Sequence, residues 1–71
     1  MIRLHHLSRE REGFHLNPDL IATIEARPDT VLSLTTGAKL PVDEPVEVVV
    51  AKVREWRTQI AVNALKLTAA D

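Results

Sequence analysis

The three histidines, His5, His6 and His15, are the residues that could give this chain metal chemistry. In the hairpin predicted below, His5 falls opposite His15 on the outer face, and two imidazoles across a strand pair could hold zinc or nickel. A structural zinc site takes four protein ligands and a catalytic one about three. With no cysteine in the chain and no carboxylate at a fitting spacing, the set stays incomplete. The pair therefore reads as exposed strand histidines, and His6, if it faces inward, as a residue at the edge of the core.

The carboxylates Asp19, Glu25, Asp29, Asp43, Glu44 and Glu47 include no pair spaced as a general acid and base. Structural roles account for several of them. Asp29 suits a turn, and Asp43 or Glu44 suits a helix start, where a carboxylate accepts amide hydrogen bonds and complements the dipole. Ser8 falls in a loop and Ser33 on an outer strand face, neither of them in a nucleophile elbow. Gly13 and Gly37 are the only glycines, so there is no glycine-rich phosphate cradle. The expectation is a protein that is not an enzyme, with no cofactor and no metal.

At 71 residues the chain suits one domain, residues 1–71, with one modest core. Without cysteine that core has no disulfide to support it. Nine Lys and Arg stand against ten Asp and Glu, a formal net charge of −1, which gives no electrostatic funnel for nucleic acid or acidic membranes. Phe14 and Trp56 are too few for a base-stacking platform. The chain start has no signal-peptide pattern, and the longest apolar run, Val48 to Ala51, falls far short of the roughly 20 residues a membrane span needs. The expected protein is soluble and cytoplasmic.

Two turns organise the front of the chain. In Asn17-Pro18-Asp19 the proline holds Asn17 extended while the asparagine side chain closes a turn onto the backbone ahead. Arg27-Pro28-Asp29 reverses the chain a second time. Ile2 and Leu4 alternate with Arg3 and His5, and Phe14 and Leu16 continue that face beyond the polar connection Ser8 to Gly13. A strand from Leu20 to Ala26 presents Leu20, Ala22, Ile24 and Ala26 inward. A three-residue loop at Arg27 to Asp29 then sets Ile24 opposite Leu32 and Ala22 opposite Leu34. A loop of Thr35, Thr36 and Gly37, with the glycine left-handed, sets Leu32 opposite Leu40 and Thr30 opposite Val42. Pro41 requires an edge strand or an outward-facing nitrogen. The sheet should occupy residues 1–43.

From Val46 the period lengthens. Val46, Val49, Val53, Trp56 and Ile60 recur at spacings of three and four, which predicts an amphipathic helix from about Val46 to Leu67 and a short tail. Such a helix measures about 33 Å, whereas a strand of about six residues spans roughly 20 Å. Its second half, including Ile60, Ala61, Val62, Ala64, Leu65 and Leu67, should overhang the sheet, and an apolar patch of that kind predicts a homo-oligomer. The candidate interface is Val53, Trp56, Ile60, Ala64 and Leu67. The alternative is that this half folds back over the same sheet or frays. Arg54 and Arg57, with Arg3, could meet an acidic partner or simply face water.

The fold class expected is α+β, a small antiparallel sheet of four or five short strands followed by one C-terminal helix. Met1-Ile2, Leu4, Leu7, Phe14, Leu16-Asn17-Pro18-Asp19-Leu20-Ile21, Ile24-Glu25, Pro28-Asp29-Thr30-Val31, Leu34-Thr35, Gly37, Lys39, Val42, Val46-Glu47 and Val49 together resemble the small flagellar FlbD family, over about residues 1–57. That family is distinct from the response-regulator transcription factor sharing its name. The resemblance implies a non-enzymatic motility protein of the bacterial flagellum, acting in motor function or in assembly, which extends the expected cytoplasmic location to the periphery of the flagellar motor. It implies flagellar motor or assembly proteins as partners and brings no catalytic residues. Its motif positions Asn17, Pro18, Asp19, Pro28, Asp29 and Gly37 are those already assigned to turns. The chain departs from the family pattern in its longer Ser8 to Gly13 connection, in Thr36-Gly37 for Asn-Gly, in Pro45 for a serine, in Leu40 for an aromatic, and in a longer apolar tail. The alternative function is a small nucleic-acid-binding regulator presenting Arg3, Arg9, Arg11, Arg27 and Lys39, which the near-neutral charge disfavours.

Overall fold

The turn chemistry of Asn17 and Pro18 acts as expected. Asn17 stays extended and its Oδ1 accepts from Asp19 N at 3.1 Å, while Pro18 opens a single 3-10 turn over Pro18–Leu20. The computed structural model describes the backbone of residues 1–69 and the side chains of residues 1–64. Around that turn lie β1 (Ile2–His5), β2 (Gly13–Leu16), β3 (Ile21–Ala26), β4 (Thr30–Leu34), β5 (Lys39–Val42) and the helix α1 (Val46–Ala69). The class is α+β. The five strands form two antiparallel sheets, β1-β2 and β3-β4-β5.

Most of the predicted register holds. Ile24 faces Leu32, Leu32 faces Leu40 and Thr30 faces Val42. Gly37 sits at φ +92, in the left-handed region its loop requires. Leu20 belongs to the 3-10 turn and is exposed, so the third strand begins one residue later than expected. Ala22 does not meet Leu34. The register slips between Ile21 and Thr23, Ile21 takes the place opposite Leu34, and Ala22 and Ala26 are exposed. A bulge absorbs one residue and switches the faces that follow it, so strict alternation across it fails.

The first hairpin keeps the predicted parity but shifts its pairs. Arg3 stands opposite His15 and His5 opposite Gly13, so the two histidines do not face each other. The long Ser8 to Glu12 connection allows this offset, because no tight turn fixes the register.

The two sheets meet where β1 runs past β5. Asp43 N donates to His5 O at 2.9 Å and Leu7 N to Pro41 O at 3.4 Å, around a single bridge between His6 and Val42. A residue's N and C=O point to the same side of a strand, so Pro41's donorless nitrogen also faces β1, away from β4. Pro41 therefore offers this junction an acceptor and no donor, which accounts for one bridge in place of a full ladder.

Leu4, Leu16 and Ile2 from the first sheet, Leu32 and Val42 from the second, and Val49 from α1 form the buried core. Leu4, Leu32 and Val49 are completely enclosed, at 0% exposure. Phe14, Ile21, Ile24, Leu34, Leu40, Val53 and Trp56 pack around them. The Pro45 carbonyl accepts from Val48 N and Val49 N at 3.0 and 3.1 Å and so starts the helix. Neither Asp43 nor Glu44 caps it. Both carboxylates turn instead toward the first hairpin, Asp43 to Arg11 and Glu44 to His5.

Candidate functional site

The stripe on α1 divides into two halves. Val46, Val49, Val53 and Trp56 are buried or half-buried against both sheets, whereas every residue from Arg57 to Ala64 is exposed. At 24 residues the helix is about 36 Å long, and it leaves the sheets after Trp56. Ile60 is 49% and Val62 37% exposed, so this half does not fold back over the sheet. Of the candidate interface residues, Val53 and Trp56 join the core periphery, and Ile60 and Ala64 lie on the overhang. Leu67 lies outside the residues whose side chains are described.

The helix flanks separate the three basic candidates. Arg3, with Met1 and Ile2, lines a groove against Lys52, Glu55 and Trp56. Arg54 and Arg57 stand on the other flank, over β3, where Ile24, Val50, Val53 and Thr58 complete a groove of about 340 Å³. Arg3 therefore shares no surface with the other two. The hairpin places it across from His15, with its guanidinium lying over Gly13.

A polar cluster lies where the sheets meet. His5 N donates to Glu44 Oε1 at 2.9 Å, and His5 Nδ1 lies 2.7 Å from Glu44 Oε2. Burial pushes the Glu44 carboxyl up, but the hydrogen bonds from the His5 ring and backbone outweigh it and hold the group below its ordinary value. Arg11 pairs with Asp43 beside it. These two contacts tie the first hairpin to the entry of α1. Sequence reasoning missed them because the partners lie far apart in the chain and neither motif nor period joins them. His6 stacks on Phe14 with ring centroids 4.2 Å apart, at the core edge as expected. Among the described residues, no three His, Cys, Asp or Glu side chains converge as metal ligands.

The turn residues take up structural positions. Asn17 is half-buried and Pro18 buried, while Asp19, Pro28, Asp29 and Gly37 are exposed on their loops. Arg27 N donates to Asp29 O at 2.8 Å across the second turn. Among the described residues no helix is long and apolar enough to cross a membrane. No curated protein and no solved structure matches the chain. The family model described as FlbD, flagellar and swarming motility proteins, matches residues 1–61. That span takes in all five strands, both proline turns and the helix into its exposed half, through Ala61. The chain belongs to the FlbD family of flagellar and swarming motility proteins.

Proposed function

We propose that this protein is a non-enzymatic, cytoplasmic interaction protein that supports motility at the flagellar motor or during flagellar assembly, and that it self-associates through the overhanging half of α1. The family membership ties it to motility. The observation that carries the self-association is the run of exposed apolar residues, Ile60, Ala61 and Val62, continuing a helix whose first half is packed into the core. Apolar surface in this position gains free energy when covered. Its partners would be copies of itself together with motor or assembly proteins. The nucleic-acid alternative is weakened by the ion pairs of Arg11 with Asp43 and Arg27 with Glu25, which occupy two of the five basic residues it needs.

Deleting the gene in its host, and counting filaments separately from swimming and swarming speed, tests the role. Normal filament number with slow movement is the motor outcome, and missing filaments the assembly outcome. Unchanged motility would overturn the proposal.

A further inference from the structure

Two grooves beside β3 share Ile24, Val53 and Arg57. The second of them is touched by the four consecutive residues 21–24. Thr23 and Ile24, which follow the bulge, point to opposite faces, so a groove that touches both follows the edge of the strand and not one face. This edge is the outer one. β3 ends the order β3-β4-β5, and among the described residues no strand pairs with its other side. A row of backbone donors and acceptors therefore lies beside an apolar floor of Ile21, Ile24, Val50 and Val53.

Arg54 and Arg57 stand above that floor. They are three residues apart on one helix face, close enough to repel each other mildly. Among the described residues neither has a carboxylate within ion-pair distance, whereas Arg11 and Arg27 each do. An anion between the two arginines would relieve the repulsion and gain charge-assisted hydrogen bonds.

We infer that the β3 edge and the α1 flank together receive an extended segment of a partner protein that carries apolar and acidic residues together on one face, at every second position. The segment adds a strand to β3 through its backbone, sets its apolar side chains against Ile24 and Val53, and directs its carboxylates to Arg54 and Arg57. A second copy of β3 fits less well, because its one carboxylate, Glu25, already holds Arg27 at 2.9 Å. A nucleic-acid strand fits less well too, since no aromatic side chain lines either groove for a base to stack on. The inference is independent of self-association through Ile60, which lines neither groove.

The test uses the full chain and a fluorescein-labelled octapeptide, Val-Thr-Glu-Thr repeated twice, followed by anisotropy. Three results are expected together. The peptide binds saturably and its counterpart with Lys in place of Glu does not. The double variant Arg54→Glu, Arg57→Glu weakens binding by about tenfold or more, with an unaltered melting temperature. Methylating the backbone nitrogens of either the Val and Glu residues or the Thr residues abolishes binding while the other set is tolerated, because alternate nitrogens of a strand face opposite sides. Any of four results would overturn the inference: no saturable binding, binding indifferent to charge reversal, tighter binding of a single-stranded oligonucleotide, or a dimer whose mass is lowered by Ala26→Pro, whose nitrogen faces the free edge.

Discussion

The two halves of α1 look alike in sequence and differ in environment. Val46 to Trp56 carries its apolar stripe into a core built from both sheets, where Val49 is completely enclosed. Arg57 to Ala64 continues the same helical repeat with every residue exposed. One pattern therefore has two physical meanings, set by where the sheets end. The first half is held by burial within the chain. The second gains from burial only when something else covers it, so substitutions in the two halves should have different consequences.

The largest effect is expected at Val49. Val49→Asp would place an unpaired charge in the core, at a cost of about 4 kcal/mol or more. That is a large share of what a small domain holds. Loss of cooperative unfolding by circular dichroism is the expected outcome, and a folded variant would show that the covered half is not required. Trp56→Ala, at the boundary of the two halves and half-buried, should cost about 2 kcal/mol, below the usual cost for an enclosed aromatic. Chemical denaturation measures it.

Glu44 tests whether the covered half also depends on its polar anchor. Glu44→Ala removes two hydrogen bonds from His5 to a carboxylate and should cost about 2 kcal/mol at neutral pH. The sign of the pH dependence follows from the lowered carboxyl. A group held below its ordinary value favours the folded state above the unfolded value, about 4.3 for glutamate, and loses that contribution as pH falls through the folded value. The wild type should therefore lose stability on acidification more steeply than Glu44→Gln in that window. Parallel acid limbs in denaturant titrations would contradict the anchor.

The smallest effect on stability, and the sharpest separation of the two halves, is expected at Ile60. Ile60→Asp lies on the overhang and should change unfolding free energy by no more than about 0.5 kcal/mol. The mass in solution should nevertheless fall. An unchanged mass, measured by light scattering at matched concentration, would count against self-association through this half.

Local chemistry made much of the fold legible. Asn17-Pro18 and Pro28-Asp29 act over two or three residues, so their turns could be read without knowing the rest of the molecule. Gly37 and the two three-residue loops then set the pairs of Ile24 with Leu32 and Leu32 with Leu40. The first hairpin was less legible because Ser8 to Glu12 is long enough to let its register move. The bulge at Ala22 was not legible either, since nothing in Ile21-Ala22-Thr23 marks an extra residue. Trp56 and Ile60 could be placed on one helical stripe, but whether each faces core or water depends on how far the sheet extends.

The sequence by itself determined the turns, the order of sheet before helix, the helix and the match to a motility family, because these depend on nearby residues and on periodicity. Only the tertiary structure decided that Glu44 and Asp43 hold the first hairpin in place of capping the helix, that Arg3 is parted from Arg54 and Arg57, and that β3 leaves an edge beside two arginines. Those outcomes depend on contacts between segments far apart in the chain. No local propensity records such contacts, since their free energy exists only once the two sheets and the helix have come together.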